Sequence, residues 1–97
     1  RRGFTLPYHE ILAFETSVES RRIKVYYANH SIKTIYGSLK DIVTKAEKDY
    51  FVYANRNTLV SLQAIEEMTA TEVTLLEGLN FPVSRTARRT LKKYINV

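Results

Sequence analysis

The stretch Ile23–Tyr36, IKVYYANHSIKTIY, decides how the chain is read. Ile23–Tyr27 and Ile32–Tyr36 each alternate apolar with polar residues, and Ala28-Asn29-His30-Ser31 between them is a polar tip. Period-two runs on either side of a short Asn-bearing turn predict an antiparallel hairpin. Upstream, Thr16–Arg22 (TSVESRR) reads as a turn tipped with charge. Tyr8–Glu15 (YHEILAFE) before it reads as a first strand centred on Ile11, Leu12 and Phe14. Downstream, Gly37-Ser38 breaks the strand and caps a short helix over Leu39–Lys48. There Leu39, Ile42, Val43 and Ala46 recur at helical spacing, and Asp41 stands three residues after Ser38 as a capping-box variant. Tyr50–Ala54 and Leu59–Leu62 follow as strands around the polar tip Asn55–Thr58. Ile65–Met68 and Val73–Leu76 pair across Thr69–Glu72. Gly78 then turns the chain into Phe81-Pro82-Val83, an edge piece because proline cannot donate to a ladder. Seven or eight short strands predict a mostly β fold, with small antiparallel sheets stacked in one body, one internal helix and one basic C-terminal helix.

Ninety-seven residues are enough for one modest core and too few for two, so residues 1–97 read as a single domain. An apolar share of 44% with 26% charged residues is that of an ordinary folded protein. Seven Tyr and four Phe favour strands. The absence of Cys excludes a disulfide scaffold, a thiol nucleophile and a thiolate metal site, and fits a reducing compartment. The longest apolar run, Tyr50–Ala54, falls far below the ~20 residues that span a bilayer, and no signal peptide is visible. A chain that begins at Arg1 without Met reads as a domain of something longer.

Charge is distributed unevenly. Residues 1–77 hold ten Lys/Arg and ten Asp/Glu, which cancel; from Gly78 onward there is no acid, and Arg85, Arg88, Arg89, Lys92 and Lys93 supply the net +5. Those five share one helical face, with Ala87, Leu91, Tyr94 and Ile95 opposite as an apolar docking stripe and Ser84 placed as the N-cap. An acid-free cationic face repels itself and gains no i,i+4 support, so it points to a polyanionic partner rather than to a merely solvated surface.

Enzymatic patterns are scarce. Gly3, Gly37 and Gly78 lie too far apart for a phosphate loop, and His9 and His30 lack metal-ligand spacing. Glu66 and Glu67 are adjacent in a strand and are expected to face opposite sides. No serine has a base in a catalytic motif. The reading is a non-enzyme without metal or cofactor. Three polar tips remain, each carrying arginine: Ser17–Arg22, Asn55–Thr58 and Ser84–Arg89. Arg and Asn are the common side chains of major-groove readout, and Ser or Thr beside them suits phosphate. Tyr50-Phe51-Val52-Tyr53 partly resembles an RNA-recognition-motif core, but Asp49 stands where that motif needs a small residue and its glycine is missing; these aromatics read as core.

Glu10–Glu15, Gly37–Ile42, the polar tip before Leu59-Val60-Ser61, and Leu76-Glu77-Gly78 through Phe81-Pro82-Val83-Ser84-Arg85 stand in an order that resembles the LytTR-type DNA-binding domain of bacterial response regulators. The likeness covers about residues 5–95, and its most specific part is the Phe-Pro-Val-Ser-Arg segment. It implies sequence-specific binding of double-stranded promoter DNA, usually at direct repeats. Loops would enter successive major grooves and bend the duplex. The setting implied is the output domain of a two-component transcription regulator of quorum-sensing, bacteriocin, competence or virulence type. Such a protein is cytoplasmic, lies on the nucleoid when bound, has a receiver domain before Arg1 and is a homodimer at full length. The resemblance carries base reading onto Arg21, Arg56 and Arg85, with Ser20, Arg22, Asn55, Asn57, Ser84, Thr86 and Arg88 as backbone or supporting contacts. Asn55, Asn57, Thr58 and Ser61 depart from the family pattern. The rival readings are a single-stranded nucleic-acid binder with a β platform and a protein or anionic-membrane module using the basic helix. The helix's apolar face is too narrow for a membrane and is better spent on docking. Neither a membrane nor a small-molecule substrate is expected as partner.

Overall fold

The computed structural model describes residues 7–17 and 21–95. Pro7 opens a single 3₁₀ turn, Tyr8–Glu10, closed by the Glu10 N–H donating to the Pro7 carbonyl at 2.9 Å. The first strand, β1, is therefore Ile11–Thr16 rather than Tyr8–Glu15. β2 (Arg22–Tyr27) and β3 (Ile32–Tyr36) form the expected hairpin, with Tyr26 opposite Ile32 and Arg22 opposite Tyr36. Its tip is fastened by Asn29 Oδ1, which accepts from the Ser31 N–H and hydroxyl, and His30 takes a left-handed φ of 68°. Helix α1 (Leu39–Lys45) is capped by Ser38 Oγ, which accepts from the Asp41 N–H at 3.1 Å. It stops three residues short of Lys48 because Ala46 is already extended, and the turn that follows puts Asp49 at φ 63°.

β4 (Phe51–Asn55) and β5 (Thr58–Ser61) come next. Here the four-residue tip Asn55–Thr58 contracts to Arg56-Asn57: Asn55 and Thr58 pair with each other, and Thr58 is buried beside Glu15 of β1. β6 (Ile65–Met68), β7 (Glu72–Leu75) and β8 (Asn80–Pro82) complete the strands, and α2 (Arg85–Leu91) ends the described fold. The β6 register shifts between Ile65 and Glu67, and Glu66 and Glu67 are both exposed. Pro82 lies on an edge strand as expected, opposite Glu72.

All pairings are antiparallel. The larger sheet has the order β3-β2-β1-β5-β4 and the smaller β6-β7-β8. β1 is buried on both faces. Ile11 and Phe14 join Ile23, Val25, Phe51 and Leu59 under Leu39 and Ile42 of α1. Leu12 and Ala13 join Ala54 and Val60 against Val73, Leu75 and Phe81 of the smaller sheet. A register shift between Ile11 and Ala13 is what lets two successive residues serve the same side. The result is an elongated body of 43 × 27 × 24 Å, layered as α1, large sheet and small sheet. At the rim of the second interface the Tyr26 ring meets Phe81 edge-to-face at 5.3 Å, and its hydroxyl donates to Glu15 Oε1 at 2.7 Å.

Phe14 is fully buried and packs edge-to-face on Phe51 at 5.0 Å. Phe14→Ala is expected to cost about 3–5 kcal/mol, a large part of the ~5–15 kcal/mol that holds a domain of this kind, read as a lower urea midpoint. The Tyr26 hydroxyl has its pKa pushed up to about 12, first by burial, then by its bond to Glu15 and by that carboxylate's charge. The folded state thus holds this proton more tightly than the unfolded chain. Stability from this group is complete below pH about 10 and is lost as pH rises toward about 12. Urea melts across that range should fall for the native chain and flatten in Tyr26→Phe.

Candidate nucleic-acid interface

The antiparallel register decides where the arginine tips lie. β1 ends and β2 begins at one end of the large sheet, where Thr16 is opposite Ile23. β4 ends and β5 begins at the same end, where Glu15 is opposite Thr58 and Asn55 closes the ladder. The β1–β2 connection and the Arg56-Asn57 turn are therefore neighbours, joined by the Thr16 N–H donating to the Asn57 carbonyl at 2.8 Å. The third tip is drawn to the second by the Ser84 N–H donating to the Ala54 carbonyl at 2.8 Å and by Asn55 Nδ2 donating to the Pro82 carbonyl at 2.7 Å. Asn55, Arg56, Ser84 and Thr86 line one groove of about 400 Å³. All three arginine segments meet at one end of the body, which sequence spacing alone did not reveal.

The individual side chains differ in what is left free. Arg21 is exposed, and its carbonyl accepts from the Gly37 N–H at 3.1 Å. Arg22 is exposed with its guanidinium 5.9 Å over the Tyr36 ring, a cation–π contact. Ser20 lies outside the described residues. Arg56 and Arg85 are exposed, as is Thr86, while Asn57 is half-buried. Asn55 is committed on both sides of its amide: Oδ1 accepts from the Asn57 N–H at 2.8 Å and Nδ2 is held by Pro82. Ser84 is committed too, its hydroxyl accepting from the Ala87 N–H at 3.1 Å as the expected N-cap. Arg88 is half-buried, and its Nε donates to the Thr69 carbonyl at 3.2 Å across the β6–β7 turn.

α2 covers only the first part of the expected basic helix, and Lys92 forms its C-cap. Ala87 and Leu91 dock on Met68 and Val83 as the apolar stripe required, with Ile95 packed beside them. Tyr94 departs from that stripe: it is 46% exposed, and its hydroxyl is raised in pKa by hydrogen bonding to Asp49. Arg85, Arg88, Arg89 and Lys92 line a bay of about 530 Å³ with Ala70, and no acid lies among these residues. Of the aromatic run read as core, Phe51 is buried and Tyr50 half-buried, but Tyr53 is 39% exposed at the groove. Sequence reading missed it: Tyr53 lies on the edge strand β4, at the open groove beside α2. The β6–β7 turn was missed as part of this region because it carries no charge between Met68 and Glu72; it meets α2 through the Thr69 carbonyl and beside Ala70.

A layered β body with arginines gathered at one end belongs to the class of DNA-binding domains built from strands and loops. The family model of the LytTr DNA-binding domain matches residues 1–96. Among solved structures, the chain is similar to a LytTr DNA-binding domain from Bacillus cereus, described as that of a methyl-accepting/DNA response regulator. The TM-score is 0.80 at 18% identity, over 97% of this chain and 88% of that one. No curated protein matches the chain. The chain belongs to the LytTR family of DNA-binding domains.

Removing the Ser84 hydroxyl leaves an N-terminal amide of α2 without its partner. Ser84→Ala should cost about 0.5–2 kcal/mol in denaturant melts and speed amide exchange at Ala87. Ser84→Asp restores the cap and the stability, yet its carboxylate should repel a polyanion, so stability and binding part company in that variant.

Proposed function

We propose that the chain is a sequence-specific, double-stranded DNA-binding domain, the output module of a transcriptional response regulator, with no enzymatic step. The observation that carries this reading is the convergence of the β1–β2, β4–β5 and pre-α2 segments at one end of the large sheet. Arg21, Arg56 and Arg85 read bases in successive major grooves. Arg22, Asn57, Thr86 and Arg88 serve the backbone, together with Ser20, and Ser84 and Asn55 support them from within the fold. Grooves on one side of a straight duplex curve away from the protein, so simultaneous contact favours bending toward it. Direct promoter repeats, a homodimer at full length, a receiver domain ahead of this one, control of quorum-sensing-type programmes and a cytoplasmic setting complete the proposal.

The platform reading of single-stranded nucleic acid needs several aromatics exposed on one sheet face. Of the run Tyr50–Tyr53, only Tyr53 stands exposed, which favours the duplex.

Anisotropy titrations on duplexes selected from random DNA test the proposal. Log affinity should fall with log salt by roughly 0.9 per phosphate neutralised, and a flat response removes nucleic acid as the ligand. Arg85→Ala should lose ~1–3 kcal/mol on selected DNA and little on random DNA, whereas Lys92→Ala weakens both alike. Equal losses for Arg85→Ala on both duplexes would make it a phosphate contact. Insertion of half a turn between the contacted segments should abolish specific binding, and its retention would show that one tip alone reads DNA.

A further inference from the structure

Asn55 stands at the junction of the arginine segments, and both polar atoms of its amide are hydrogen-bonded to backbone. Its amide oxygen holds the Asn57 N–H at 2.8 Å, closing a local turn around Arg56. Its amide nitrogen holds the Pro82 carbonyl at 2.7 Å, twenty-seven residues away, just before Ser84 and α2. Asn57 in turn accepts from the Thr16 N–H at the root of the β1–β2 connection, and Ala54 accepts from the Ser84 N–H. The hydrogen bonds therefore run from Thr16 through Asn57 and Asn55 to Pro82. Proline matters at the far end: it has no N–H, so β8 offers its carbonyl there while its ring sits on the edge. Asn is the side chain suited to this place, since one amide supplies a donor and an acceptor at opposite corners.

We infer that Asn55 is a positioning residue, which fixes the Arg56 turn against the segment carrying Arg85 so that both arginines meet DNA in one register. The inference rests on the DNA-binding reading above and deepens it. One amide N–H and one lone pair of the amide oxygen are held by Pro82 and Asn57, which fixes the orientation of this side chain. Its contribution to binding is preorganisation: two tips held at a fixed separation bind the second contact as an intramolecular event, and slack between them lowers that advantage. The second tip accordingly reads DNA through Arg56, with Asn55 behind it.

The test is a double-mutant cycle of Arg56→Ala and Arg85→Ala on a duplex selected by the native chain, repeated in an Asn55→Asp background. Asn55→Asp keeps the acceptor for Asn57 and loses the donor to Pro82, so it severs the link between tips while leaving the turn closed. In the native chain the two arginines should be coupled by at least about fivefold, beyond the roughly twofold scatter of independent sites. In Asn55→Asp the coupling should shrink to within that scatter, with affinity for selected DNA falling several-fold more than affinity for random DNA. Asn55→Ala, which adds no charge, should reproduce the loss of coupling and separates it from simple repulsion of phosphate. Melting curves and circular dichroism of both variants report that they fold, and a variant that does not fold leaves the cycle to the other. If both unfold, Asn55 is a general stability residue and the inference falls. Unchanged coupling in either folded variant overturns it, as does an equal loss on selected and random DNA, which would make Asn55 a backbone contact. Failure of the native chain to bind any duplex removes the DNA reading itself, a result distinct from binding with unaltered coupling.

Discussion

Burial of β1 on both of its faces is the constraint on which the rest of the structure depends. Ile11 and Phe14 need a layer on one side, supplied by α1, and Leu12 and Ala13 need one on the other, supplied by the small sheet. A strand covered on both sides belongs at the centre of its sheet, and β1 lies between β2 and β5. Both neighbours pair antiparallel to it, so the start of β2 and the β4–β5 turn lie at its C-terminal end. The local register shift in β1 reconciles a sequence of four consecutive buried residues with two different layers.

The cationic end has a cost that the core must bear. Arg85 and Arg89, Arg88 and Lys92, and Arg89 and Lys93 are like-charged pairs one turn apart, each destabilising by about 0.2–0.5 kcal/mol. α2 has only seven residues and would not hold in isolation. It is kept by burial of Ala87 and Leu91, by the Ser84 cap and by the strap from Arg88 to Thr69. Tertiary contacts thus hold a helix whose charge pattern opposes it, the balance expected where a surface is shaped for a partner rather than for stability.

Much of the architecture was legible in the chain. Alternation marked the hairpin of Ile23–Tyr36, Ser38 and Ser84 marked both helix starts, and Pro82 marked an edge. The misreadings have both local and long-range causes. Tyr8–Glu10 carries strand-like residues but follows a proline that closes a 3₁₀ turn. Thr58 and Asn55 look like loop residues, yet ladder pairing and burial beside β1 draw both into strands. Tyr53 reads as core and is exposed at the groove between β4 and α2.

By itself the sequence determined the class of fold, the helix caps, the acid-free basic end and the identity of the arginine-bearing tips, since each of these is set by neighbours in the chain. Only the tertiary structure decided that those tips come together, that Asn55 is bonded to Pro82, and that Arg88 is tied to the β6–β7 turn. The physical reason is range. Caps, turns and periodicity act over three or four residues, whereas strand order and side-chain commitment depend on contacts between residues as far apart as Asn55 and Pro82, which no local pattern encodes.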